Sequence, residues 1–115
     1  MSIKIVSISY NNKKDTYILK AVLTNWFKDP KELHLIEPRM NYPFNFKKWV
    51  NLTYKNSNIK SYALKENNWI IGIGNILFNE NKKYAHAFHI YIDKKYRKKG
   101  LGSKILQHLE TIAQE

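Results

Sequence analysis

The chain has 115 residues, 43% of them hydrophobic, which is enough for one core, and no cysteine, which excludes disulfides and thiolate metal sites. Its formal net charge of +11 favours anionic partners by long-range attraction. Most of the lysines are scattered (Lys13, Lys14, Lys47, Lys48, Lys82, Lys83), as on a solvated surface, and only Lys94, Lys95, Arg97, Lys98 and Lys99 form a dense cluster.

The opening segment lacks the basic start, apolar stretch and cleavage site of a secretory signal. No apolar run approaches the roughly 18 residues of a membrane span. The expectation is a cytoplasmic protein with no membrane contact. Ile3, Ile5 and Ile8 suggest a first strand, and Asn11 to Lys14 a turn. From Asp15, read as an N-cap, Ile18, Ala21, Val22 and Trp26 recur at helical spacing until Asp29-Pro30 ends the run. Residues 31–43 are less regular, and an arm from Glu37 to Tyr42 is expected to lie over the surface. Asn45 caps a short second helix with Phe46, Trp49, Val50 and Thr53 on its inner face.

The period then changes to two. Ile59 to Lys65 reads as a strand, Asn67-Asn68 as a tight turn and Trp69 to Phe78 as a longer strand. A turn at Asn79 to Lys83 leads to a strand from Tyr84 to Ile92, and three strands with short polar turns imply an antiparallel meander. Gly102 to Gln114 is a helix with Ile105, Leu109, Ile112 and Ala113 as its apolar stripe. The order is strand, two helices, three strands, helix. No repeat or linker interrupts it, so residues 1–115 read as one mixed α+β domain.

The informative stretch is Tyr84 to Leu109, where a strand enters a basic, glycine-containing turn that opens a helix. The first amides of a helix lack internal partners, and with the helix dipole they attract an anion. Gly100 and Gly102 permit unusual dihedrals and close approach, while Arg97, Lys98 and Lys99 add positive charge. A pyrophosphate suits such a turn. The Walker signature is absent, and Gly72-Ile73-Gly74 lies inside a strand pattern, where glycines mark close packing or a bulge.

Arg97-Lys98-Lys99-Gly100-Leu101-Gly102, preceded by Ile90-Tyr91-Ile92-Asp93-Lys94-Lys95-Tyr96, resembles the R/Q-x-x-G-x-G/A signature of the GNAT superfamily of N-acetyltransferases, with Lys94 where many members have proline. The element order is similar too, so the resemblance covers nearly the whole chain. It implies acetyl transfer from acetyl-CoA to a primary amine by direct transfer, the acceptor staying open. It implies that Lys98, Lys99, Gly100, Leu101, Gly102 and Ser103 hold the coenzyme A pyrophosphate through their amides, with Arg97 beside them. Ile90, Tyr91 and Ile92 would line the pantetheine arm, added like an extra strand at an edge that the family often opens with a bulge. The Ile92 amide would face the developing oxyanion, and the amine would arrive past the arm at Glu37 to Tyr42. His86, six positions before Ile92, occupies the place of the glutamate base of many members, with Glu37 as a remoter alternative. His89, of opposite strand parity, should face away from His86.

The family fold continues past its third helix with a fifth strand, a helix and two closing strands, which carry the tyrosine general acid. These would lie beyond Glu115, leaving the fourth strand's edge open to a second copy or a partner. Two other readings remain: a catalytically incomplete GNAT-like binding or regulatory module, and a basic nucleic-acid-binding module. The latter is disfavoured because Trp26, Trp49 and Trp69 sit in core-like patterns.

Overall fold

The structure, a computed structural model, describes residues 3–79 and 84–114. They form two compact units, one taking residues up to Ile8 and from Asn58 onward, the other Ser9–Ser57.

The first unit holds four strands: β1 (Ile3–Ile8), β2 (Ile59–Glu66), β3 (Trp69–Phe78) and β4 (Ala85–Ile92). Every neighbouring pair is antiparallel, in the order β1-β2-β3-β4. The β2–β3 turn places Asn67 at φ 57°, the left-handed geometry its short amide side chain tolerates. The expected turn after Asn79 falls on residues outside the described set, although Asn79 and Tyr84 bond across its base. The closing helix, Leu101–Ala113, packs on the sheet through Leu101, Ile105 and Leu109, which meet Leu64, Ile71, Tyr62, Ile76 and Ile92. Ala113, expected in that stripe, is exposed.

Gly74 lets this helix approach, and Gly72 makes room for side chains of the two neighbouring strands. A Cβ on Gly74 would stand 2.8 Å from Ile105 Cδ1, and one on Gly72 the same distance from Ile92 Cδ1. Trp69, expected in the core, is half exposed at the turn.

The second unit begins with α1 (Lys13–Trp26), whose N-cap is Asn12 and not Asp15. The Asn12 side chain accepts from the Asp15 amide, and Asp15 reaches back to accept from the Ser9 amide. Asp15 is thus the third helical residue, whose carboxylate ties the preceding turn at Ser9 and favours the positive end of the helix dipole. Asp29-Pro30, read as a terminator, also starts α2 (Pro30–Ile36): Asp29 is the N-cap, and proline's fixed φ suits the first helical position. Asn45 caps α3 (Phe46–Trp49) as expected, and a π-helical turn (Val50–Tyr54) continues it.

The arm after α2 does not simply lie over the surface, because Glu37 and Met40 are buried. Trp49 is buried among Phe27, Phe44 and Tyr54, and its indole N–H donates to the Tyr10 hydroxyl at 3.1 Å. Burial holds the Tyr10 and Tyr54 phenols well above the usual range. The last helix, in the first unit, is α4. No helix of the described residues is long and apolar enough to cross a membrane.

Candidate coenzyme site at the β4–α4 turn

Three features meet where β4 runs into α4. The first is the strand edge. Among the described residues β4 pairs only with β3, so its other edge is open. The Asp93 amide donates to the Ile71 carbonyl at 2.9 Å. In an antiparallel ladder successive residues alternate between facing the partner and facing away. With Gly72 opposite Ile92 and Ile73 opposite Tyr91, the amides of Ile92 and Ile90 face outward.

The second feature is a bulge. Ile73 pairs with Tyr91 but Asn75 with Phe88, so Gly74 stands opposite both His89 and Ile90. His89 takes φ 46° there. The extra residue resets the strand's parity, and Ala87, Ile90 and Ile92 therefore all pack toward α4. Simple alternation had put His86 and His89 on opposite faces. Beyond a bulge that rule fails, and the His89 ring instead lies 4.9 Å from the Phe88 ring, which itself stacks on His86.

The third is the turn. Asp93 accepts from the Lys95 amide and caps a single 3-10 turn, Lys94–Tyr96. Lys98 and Gly100 follow with φ of 65° and 77°. Gly100 is the helix N-cap and supplies no side chain. Its carbonyl accepts the first helical bond, from Lys104, so the amides of Leu101, Gly102 and Ser103 have no acceptor within the helix.

Together these enclose a cleft of about 380 Å³ lined by Ile90, Tyr91 and Ile92 from the strand, Tyr96, Arg97 and Lys98 from the turn, and Gly100 to Ser103 from the helix start. None of these lining residues is acidic. The sequence motif had pointed to the same residues with two exceptions. Lys99 stays outside, its ammonium 5.7 Å over the Tyr96 ring. Tyr96, to which the motif gave no role, lines the cleft and donates to Glu66 Oε1 at 2.8 Å, a bond to a carboxylate that raises its phenol's pKa.

Arg97 is turned back toward the strand. Its Nε donates to the Ile92 carbonyl at 2.9 Å, and its guanidinium lies 4.9 Å over the Tyr91 ring. It closes the outward carbonyl of Ile92 while leaving the outward amide. His86 is exposed near the start of β4. Glu37, the remoter base, is in a two-pronged ion pair with Arg39 at 2.7 and 2.8 Å, which keeps its carboxylate occupied.

A four-stranded antiparallel sheet whose bulged last strand passes through a basic turn into a packed helix is the GNAT acetyltransferase fold. The chain belongs to the acetyltransferase (GNAT) family, whose model matches residues 20–115. Its architecture is similar to a ribosomal-protein-alanine N-acetyltransferase from Brucella melitensis biovar Abortus 2308 (14% identity, TM-score 0.68, covering 99% of this chain and 73% of that one). It is also similar to a GNAT family acetyltransferase from Staphylococcus aureus (22% identity, TM-score 0.66, covering 99% and 79%). A third similar structure is an aminoglycoside 6'-N-acetyltransferase complexed with coenzyme A (17% identity, TM-score 0.64, covering 96% and 54%). No curated protein matches the sequence significantly. The family and these neighbours are those of acyl transfer.

Proposed function

We propose that the chain is an acyl-CoA-dependent N-acetyltransferase that binds acetyl-CoA at the β4–α4 turn and passes the acetyl group directly to a primary amine. The observation that carries this reading is the vacant space over the glycines of the turn. A Cβ added to Gly100 would meet nothing within 4 Å, and one on Gly102 only Ile92 Cγ1 at 4.0 Å. Neither glycine is needed for packing within the chain, in contrast to Gly72 and Gly74. Beside three helix-start amides and two cationic side chains, bare backbone suits the close approach of a diphosphate.

The amides of residues 98–103 hold that diphosphate, with Lys98 and Arg97 as counter-charges. Ile90 and Ile92 present outward amides to the amide-bearing arm of the coenzyme, as a strand partner would. Bound acetyl-CoA supplies a thioester whose acyl carbon the amine attacks, the C–N bond forming as the C–S bond breaks and the thiolate leaves. The cleft is near the small end of the roughly 300–1,000 Å³ typical of ligand pockets, room for the diphosphate and the start of the arm. The acyl end therefore belongs further back along β4. His86 is six positions before Ile92, about 20 Å at the usual strand rise, and its proposed role is to take the amine's proton through water near the acyl end.

Acetyl-CoA in millimolar amounts should raise the melting temperature, since ligand at 100 times its Kd adds about 2.7 kcal/mol of stability. Thiol release with a panel of amines then tests transfer. An intact fold with no thermal shift would refute coenzyme binding. A second copy of the chain is the competing occupant of the open edge of β4, and sedimentation with and without acetyl-CoA separates the two.

A further inference from the structure

Asn75 has no part in the reading above, yet it is among the most buried polar residues described, with 1% of its surface exposed. It sits on β3 next to Gly74, the residue opposite the bulge. A bulge disrupts the ladder locally and leaves its extra residue outside the regular pairing. The Asn75 amide bonds across that disruption. Its Nδ2 donates to the His89 carbonyl at 3.3 Å and approaches the Phe88 carbonyl at 3.5 Å.

We propose that Asn75 is a positioning residue that pins the β4 bulge open and so keeps the amides of Ile90 and Ile92 on the outer edge, where the coenzyme arm is read. This rests on the acyl-CoA reading of the same site. The register supplies the physical link. With the extra residue in place, Tyr91 and Asp93 face β3 and Ile90 and Ile92 face outward. Without it, Phe88 would still pair with Asn75, but Ile90 would fall opposite Ile73 and Ile92 opposite Ile71. Both amides would then turn into the sheet. His89, held at φ 46°, is the strained member of the pair, because a non-glycine residue enters the left-handed region only when its surroundings hold it there.

The test uses Asn75→Asp and Asn75→Leu, which remove the donor at similar size. It adds His89→Val, whose β-branched side chain resists positive φ while Asn75 is retained. Each variant is titrated with acetyl-CoA and with 3′-phosphoadenosine 5′-diphosphate, the coenzyme fragment that ends at the diphosphate. The expected result is a split: acetyl-CoA affinity falls about tenfold, while the fragment, held by the turn alone, changes by less than about twofold. Equal losses for both ligands would make Asn75 merely structural and overturn the proposal, as would unchanged binding of both.

Should the wild-type protein bind neither ligand, the acyl-CoA reading fails on its own account, and the pin is read by NMR of the ligand-free protein. Asn75→Leu should then lose the strong intraresidue amide–Hα contact of His89 and the cross-strand contacts of Ile73 with Tyr91. Retention of both would overturn the pin. His89→Val reaches the same bulge from the other strand, so an unfolded Asn75 variant does not end the test.

Discussion

Substituting alanine for Gly74 and for Gly102 should move stability in opposite directions, although both glycines lie within the same sheet-and-helix unit. On Gly74 the new Cβ would stand 2.8 Å from Ile105 Cδ1, 3.0 Å from Ile105 Cγ1 and 3.3 Å from Leu109 Cδ1. Ile105 and Leu109 are fully buried, so neither can swing aside and α4 must lift from the sheet. Overpacking of this kind costs about 1–3 kcal/mol, and at this chain length each kcal/mol lowers Tm by roughly 4 °C. On Gly102 the Cβ meets only Ile92 Cγ1 at 4.0 Å. Because glycine is the poorer helix former, Gly102→Ala should gain up to about 0.5–1 kcal/mol. It should also weaken acetyl-CoA by about tenfold or more, ~1.4 kcal/mol, since the methyl occupies space facing the cleft. Thermal melting and calorimetric titration of the two variants suffice. A Gly102→Ala protein that melts as early as Gly74→Ala, or that binds acetyl-CoA like the parent, would refute the assignment of one glycine to packing and the other to the ligand.

Tyr10→Phe should cost about 1–3 kcal/mol at neutral pH, because the buried Trp49 N–H loses its acceptor. The same site predicts an alkaline weakness. Burial raises the Tyr10 and Tyr54 phenols in the folded chain, so their stabilisation is complete below the ordinary phenol value of about 10 and is lost as pH rises above it. Denaturant midpoints across that range check the sign, and Tyr10→Phe should flatten the fall. Arg97→Ala should weaken acetyl-CoA and make its affinity less sensitive to salt, since a screened cation is removed and the Ile92 carbonyl is uncapped. An unchanged salt slope would argue against a role for Arg97 as a counter-charge. His86→Ala should lower kcat about 100-fold or more with little change in KM for acetyl-CoA. An unchanged kcat would take the base role away from His86.

Much of the fold was legible because its signals are local. The switch from helical to alternating periodicity placed β2 and β3, Asn67-Asn68 placed the hairpin turn, and Asn45 placed α3. The turn from Arg97 to Gly102 was legible for the same reason, since a left-handed glycine and a run of cations leave their mark on neighbouring letters. Two local signals were misread. Asp29-Pro30 ends one helix and begins another, and Asp15 sits inside the cap that Asn12 makes. Both are cases where one residue type serves two adjacent positions.

What tertiary structure alone decided is the orientation of groups on β4. The sequence by itself determined that a strand, a basic glycine turn and a helix follow one another. It could not show that Gly74 faces two residues of the neighbouring strand, that His89 is turned to positive φ, or that the Asn75 amide donates to the His89 carbonyl. It could not show that Arg97 folds back to cap Ile92, or that Lys99 leaves the cleft to Tyr96. Strand parity is a property of pairing and not of composition. One inserted residue, matched by a side chain fourteen positions away, reverses which amides meet a ligand, and no pattern along a single strand records it.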